Sequence, residues 1–552
     1  MTSTDHSRWR SIILTTGLIF LSTIILTLPA FLHVPFKLSW DGSIHLSRIE
    51  SISQAFHHGQ LPPLVSFIGL DQALTAVSGM YPWLTLLLFA VPRFFIANPV
   101  HAWVAGLFLL NFLTGITAYC LARSLTTNRI YRWAGMSVYL FNGYHLILLY
   151  ARSSLGEALA YAFFPIVLLG CWTIWQHNRR GWLWLALGMG AIANSHVLSL
   201  FATVLLVALA EIWRLFHRQV HLAEVCQFGL AAVLSGLSAS LALANIVTLS
   251  LQNKILPPSS YTVAALPTTV FNSLINNSIY ENAYAWSLGL ICTIALIWLV
   301  YRALTTKTGT SLRWPKWSLA TGGVVVLTFS WWPWFLLRHT IFAQFQFVGR
   351  ALGLAALLLT VALLTYWIEN KTPVKPILIF TSILMILAVV SVFQYERDYS
   401  NPSNLDAGKT PFTVNAYSEI INHKNANASD YKPAVIHHGT KKSALKCSKG
   451  VTIRHYHSSF NQITYQITSN RSQNTNLMIA KYRGVPYDIT VNGHAQRSQE
   501  PHNMKLALKK GNNQVTISSH APRSQTLFFA LSCGAIFLNL LGLAVAFLRK
   551  QL

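Results

Sequence analysis

The sequence predicts a polytopic α-helical membrane protein with about twelve transmembrane helices and a β-rich domain inserted before the last of them. Three observations carry that expectation. Only 10% of the 552 residues are charged and 53% are hydrophobic, with a mean hydropathy of +0.44, whereas a soluble chain carries about a quarter charged residues. Apolar runs recur along the chain, and about 17–25 such residues suffice to cross a bilayer. One stretch, residues 395–525, departs from this pattern: it is polar and rich in Asn, Ser, Thr and His.

The first apolar run, 12–31, follows Arg8 and Arg10 and lacks a small-residue cleavage site. It reads as a retained span with a cytoplasmic N-terminus, because basic residues stay inside. An outer segment, 32–100, comes next. Within it "MYPWLTLLLFAVPRFF" is apolar but interrupted by Pro92 and Arg93. If it crossed, every later basic loop would turn outward, so it reads as an interfacial or re-entrant helix packed on protein. The remaining spans fall at 101–122, 131–150, 157–176, 182–194, 196–213, 223–245, 286–303, 317–337, 349–368, 375–393 and 526–547. Basic clusters at Arg123 to Arg132, His177 to Arg180, Arg214 to Arg218, Lys307 to Lys316, Lys371 to Lys375, and Arg549 with Lys550 then all lie inside. This divides the chain into a helical domain (1–394), an extracytoplasmic β-rich domain (395–525), and a last helix with a short cytoplasmic tail (526–552).

The polar stretch alternates in "NQITYQIT", "PYDITVNG" and "NQVTISS", with "NG" and "KKGNN" as turns. That is the pattern of strands in a β-sandwich-like domain. It holds 17 Lys and Arg against 7 Asp and Glu. On the outer side the positive-inside rule does not account for this surplus, and a basic surface there suits an anionic wall polymer or lipid headgroup.

The formal net charge of +25 comes largely from loop anchors, and no nucleic-acid-binding motif accompanies it. Of the six cysteines, only Cys447 lies in the long polar stretch, so no disulfide within that domain and no zinc spacing is expected. No phosphate-binding glycine loop, HExxH or GxSxG is present. The chain also lacks paired broken helices bearing intramembrane acids, which argues against a secondary transporter.

Ionisable residues concentrate in "WDGSIHLSRIESISQAFHHGQLPP", Trp40 to Pro63. Asp41, His45 and Arg48 fall at helical spacing and share one face, with Glu50 off it. Charge this close to a bilayer points at a cavity, although an amphipathic interfacial helix would carry the same pattern. "YARSSLGEALAYAFFP" contributes Arg152 and Glu157 at the same depth, where Glu157 also suits a helix N-terminus. His196 in "NSHVL" and Arg350 closing "FAQFQFVGR" reach that depth too. A guanidinium there suits a phosphate, and it also suits a headgroup anchor.

The order of these pieces resembles the GT-C glycosyltransferases: Asp41 after the first span, Tyr81-Pro82 before an interfacial helix, and "RSSLGE" ending at Glu157. More closely, the chain looks like the bacterial YfhO-like and 6-pyruvoyl-tetrahydropterin-synthase-related membrane proteins. "RSSLGEALAYAFFPIVLLG", "NSH", "QFQFVGR" and "KYRGVPYDITVNGHAQ…LKKGNNQVTIS" carry that likeness. The resemblance implies a GT-C-like fold and transfer of a sugar from a polyprenyl-phosphate donor to a cell-envelope acceptor such as a teichoic acid. It implies Asp41 as base, with Glu157 orienting the acceptor or joining Asp41 in binding a divalent metal ion. Arg48, Arg152 and Arg350 would hold the phosphate, supported by His45, His196 and Tyr81. Two other readings use the same features: a non-catalytic transporter or scaffold of envelope lipid or polymer, and an anion transporter.

Overall fold

The computed structural model describes residues 3–32, 37–70, 74–255, 262–306, 311–398, 412–422, 431–432, 449–477, 481–497 and 504–548. Cys447, Arg549 and Lys550 lie outside them. The protein is mostly helical, with a separate β-sheet region near the C-terminus. Among the described residues, seven helices are long and apolar enough to cross a membrane: Ile12–Leu32, Pro99–Leu125, Leu155–Trp175, Val197–Phe216, Val348–Glu369, Val374–Arg397 and Arg523–Phe547. Leu222–Ser238 and Ser240–Gln252 meet at a 69° bend and make an eighth if the pair is one span.

Five of the twelve expected spans are shorter or broken: the bent pair over 223–245 and those at 131–150, 182–194, 286–303 and 317–337. The helix Arg129–Phe141 stops at Asn142, whose backbone is extended and whose side chain caps the next turn, Gly143–Leu146. Gly143 donates its amide to the Leu288 carbonyl at 2.7 Å. A Cβ there would lie 2.6 Å from the Gly289 nitrogen, so only glycine permits this close passage. A π-type turn, Ile147–Ala151, then delivers the chain to Arg152. Around 317–337 the helix Trp314–Leu327 ends early. The indoles of Trp331 and Trp332 donate to the Val326 carbonyl at 2.9 and 3.2 Å, taking an acceptor that a further helical turn would use. The segments at 182–194 and 286–303 form the short helices Gly181–Ala193 and Leu290–Thr305.

Two ends of the helical body can be told apart by their contacts. At one end the Tyr131 hydroxyl donates to the Thr372 carbonyl at 2.6 Å, and Arg180 to the Ala546 carbonyl at 2.7 Å. Arg313 pairs with Glu369 at 2.9 Å and lies 5.6 Å from the Trp172 ring. The basic loops therefore gather together. Arg350 lies in the short turn Val348–Ala351 that leads into the helix Leu352–Glu369, so it is at the other end of a helix roughly 27 Å long.

The apolar stretch after Pro82 forms the short helix Leu87–Phe95, tied to the helix Trp40–His57 by an Arg93–Glu50 pair at 2.8 Å. Val374–Asp398 runs past the expected boundary at 394.

In the β region, five strands pair in the order Val451–Ser458, Gln462–Ser469, Gly511–Ser519, Tyr487–Val491, His494–Ala495. Alternation along Gln462–Ser469 buries Ile463, Tyr465 and Ile467, as period-two side chains dictate. Asn492 and Gly493 both have positive φ, 53° and 81°, the signature of a two-residue hairpin turn. Gln473–Leu477 and Met504–Leu508 form a second ladder. Met504, Leu506 and Leu508 share the core of the larger sheet. So do Leu64, Val65, Phe67, Leu74 and Ala76. The core of this region is thus completed by the segment between the first two long helices, which sequence proximity does not reveal.

Candidate functional site

The helix Trp40–His57 starts at Ser39, whose side chain accepts from the Gly42 amide and whose hydroxyl donates to the Arg152 carbonyl. The RSSLGE turn is thereby fixed against the first turn of that helix. Gly156 sits under Tyr81: a Cβ there would collide with the Tyr81 hydroxyl. The two short motifs around Tyr81-Pro82 and Arg152–Glu157 therefore interlock through a missing side chain.

A cavity of about 460 Å³ opens between these elements. Asp41, His45, Tyr81, Ser154, His196 and Arg350 are on its wall, together with Phe201, Phe345 and Tyr431. Five of the eight residues singled out in the sequence meet there. Glu157 lies deeper, in a narrow cleft with Tyr144 and Arg350.

Glu157 is the hub of the charged groups. Its side chain is 5% exposed. Arg152 Nη1 lies 2.9 Å from Oε2, Arg350 Nε lies 3.3 Å from the same oxygen, and the Tyr144 hydroxyl donates to Oε1. Arg152 also reaches Asp41, with Nη2 3.7 Å from Oδ2, and covers the Trp286 ring at 4.4 Å. Burial works against the Arg152 charge, but Glu157, Tyr144 and Asp41 outweigh it and keep the guanidinium firmly protonated. Arg152 thus stands between the two carboxylates, where a shared divalent ion would need to sit. Asp41 is the open one, 44% exposed.

Arg48 is buried and not on the cavity wall. Its Nη2 donates to the carbonyls of Tyr81 and Pro82 at 3.0 and 2.6 Å, and the guanidinium covers the Tyr81 ring at 4.1 Å. Burial lowers its pKa to about 10, which still leaves it charged at neutral pH. Of the three arginines, Arg350 alone lines the cavity; its Nη1 is anchored to the Phe345 carbonyl at 3.0 Å.

His45 faces two donors: Arg48 Nη1 lies 3.1 Å from Nδ1, and the Gly156 amide 3.4 Å from Nε2. Burial first, and then the charges of Arg48 and its neighbours, depress its pKa well below 6.5, so the ring is neutral. His196 caps the helix Val197–Phe216, its Nδ1 accepting from the Ser199 amide at 3.3 Å. That leaves the Nε2 hydrogen of the neutral ring as a donor. Burial holds the Tyr81 phenol protonated.

Asp41 and Glu157 bring two negative charges, and Arg48, Arg152 and Arg350 bring three positive ones. Among these five side chains one positive charge is in excess. Sequence reasoning did not find Tyr144, Ser154, Trp286, Phe345 or Tyr431. Tyr144 lies 13 residues before Glu157, and only the break at Asn142 folds it back, so helical periodicity carries no sign of the pair.

Neither the family models nor the characterised proteins compared with this chain match it.

Proposed function

We propose that the protein is a polytopic bacterial plasma-membrane glycosyltransferase of the GT-C type. It moves a sugar from a polyprenyl-phosphate donor to an anionic cell-envelope acceptor. The carrying observation is the cavity in which an open carboxylate, Asp41, shares a wall with Arg350, His196 and Tyr81. In this reading the long apolar helices lie in the bilayer, and the shorter ones complete about twelve passages. The gathered basic loops and both termini face the cytoplasm, and the cavity and β region lie outside.

The cavity is placed for a substrate that is half lipid. Phe201, Phe345 and Val197 supply an apolar wall, and Arg350, His196 and Tyr81 supply donors. The acceptor hydroxyl gives its proton to Asp41. Its oxygen bonds to the anomeric carbon as the bond from that carbon to the phosphate oxygen breaks, with inversion. The charge on the departing polyprenyl phosphate is met by Arg350 and by the neutral donors. Arg152 and Arg48 act as positioning residues: the first holds Asp41 and Glu157, and the second seats Tyr81-Pro82. Glu157 keeps Arg152 and Arg350 apart and oriented, and the geometry favours this role over metal binding.

The test is transfer by the purified chain in proteoliposomes containing a radiolabelled polyprenyl-phosphate sugar and an envelope polymer acceptor. Labelled polymer is expected from the wild type and not from Asp41→Asn. Equal transfer by both would overturn the assignment of the base, and none by the wild type across a panel of sugars would overturn the reaction.

A further inference from the structure

The basic end of the helical body holds a second cluster, which sugar transfer does not use. His177 follows the helix Phe164–Trp175. His221 is the N-cap of the helix Leu222–Ser238, and Glu224 lies in its first turn. Arg214 comes from the last turn of the helix Val197–Phe216. The fold thus joins residues more than forty positions apart. One ligand-capable atom each of His177, His221 and Glu224 lies within 4.8 Å of the others.

The distances within the cluster suit a metal ion. His177 Nδ1 is 3.3 Å from Glu224 Oε1. The edge of a tetrahedron around zinc, with bonds of about 2.0–2.1 Å, is also about 3.3 Å. The other carboxylate oxygen, Oε2, is 2.8 Å from Arg214 Nη2. That is how an outer residue orients a metal-bound carboxylate while leaving one oxygen free. Glu224 is 1% exposed, His177 is 64% exposed, and His221 is exposed. A buried anion therefore lies beneath two imidazoles that solvent can reach. Neither Glu224 oxygen makes a well-aligned hydrogen bond among the described residues.

We propose that His177, His221 and Glu224 form a zinc site, with water as the fourth ligand. Local charge selects the metal. Arg214 is in the cluster, and Arg179, Arg180 and Arg218 lie close by in sequence. Magnesium and calcium are held mainly by several oxygens and their charge, and one carboxylate among arginines does not offer that. Zinc draws on imidazole nitrogens as well. Bound there, the ion would join the end of one helix to the start of another across the intervening helix pair.

The test uses the full chain in detergent, stripped with a chelator and titrated with zinc against a chromophoric competitor, and with cobalt as a spectroscopic probe. With twenty histidines in the chain, the readout is the difference between variants. The wild type is expected to bind one equivalent more than His221→Ala or Glu224→Gln, to show the intense cobalt bands of tetrahedral coordination, and to gain melting temperature on zinc addition. His177→Ala leaves the Arg214–Glu224 pair in place, so it keeps the fold, and because it removes a direct ligand it should lose the extra equivalent of zinc. The proposal is overturned by equal stoichiometry in the wild type and His177→Ala, by octahedral cobalt in the wild type, or by no binding at all.

Discussion

Glu157 at the cavity end and Glu224 at the basic end are both nearly sealed from solvent, and both are held by arginine. They differ in their neighbours. Glu157 has two arginines, a tyrosine and a cavity beside it, and the histidines nearby are buried and neutral. Glu224 has exposed histidines. A buried carboxylate alone therefore indicates no particular chemistry. In the readings proposed above, a second, open carboxylate, Asp41, gives the first arrangement its proton acceptor, and two reachable imidazoles give the second its metal ligands.

The sharpest way to break this comparison is to remove the open carboxylate. Asp41→Asn should lower transfer about 10²–10⁴-fold with unchanged folding, measured as initial rates alongside thermal unfolding. Arg350→Ala comes next, with about 10²–10³-fold lost from turnover, the scale of a missing transition-state donor. Arg350→Lys should recover part of it, and full recovery would reduce Arg350 to a point charge. Glu157→Gln should act on stability. Stranding Arg152 without its buried partner costs about 3–5 kcal/mol, so its melting temperature should fall further than that of Asp41→Asn. The reverse order would make Glu157 the chemical residue and Asp41 the structural one.

A pH titration sharpens the contrast in histidines. The folded pKa of His45 lies well below its unfolded value of 6.5, with Arg48, Arg152, His196 and the Gly156 amide facing it. Below about pH 6.5 the unfolded chain binds a proton that the folded one refuses, so stability falls as pH falls, by up to about 1.4 kcal/mol per unit. His196, which burial also holds neutral, adds a term of the same sign, so His45→Gln should remove only its own share of the slope, seen in melting temperatures between pH 5 and 7.5. The smallest expected effect concerns the β region. Replacing exposed Arg471, Lys509 and Lys510 by Gln should raise KM for a polyanionic acceptor about two- to fivefold. It should also weaken the salt dependence, leaving turnover unchanged.

The sequence carried whatever depends on local pattern. Each long helix follows a mainly apolar run, the strand pattern in "NQITYQIT" is a period-two signal, and Asn492-Gly493 is a turn signal. Asp41 and His45 were legible because one helix face holds them. What it concealed depends on contacts between distant residues. The span expected over 131–150 breaks because Gly143 meets Leu288 and Gly289, and nothing near Gly143 announces a partner so far along. Arg48 and Arg350 look alike in sequence. Only the carbonyls of Tyr81 and Pro82 distinguish the committed guanidinium from the one facing the cavity.

The shared core of the β region has a consequence for biogenesis. Leu64, Val65, Phe67, Leu74 and Ala76 complete a core whose strands, among the described residues, begin at Val451. At about 5–20 residues per second, the ribosome needs roughly 20–75 s to make the intervening 375 or so residues. Through that interval a cluster of apolar side chains waits on a nascent chain without its partner. The strands expressed alone would present a sheet with an open apolar face, and supplying residues 60–80 as a separate peptide should restore its solubility.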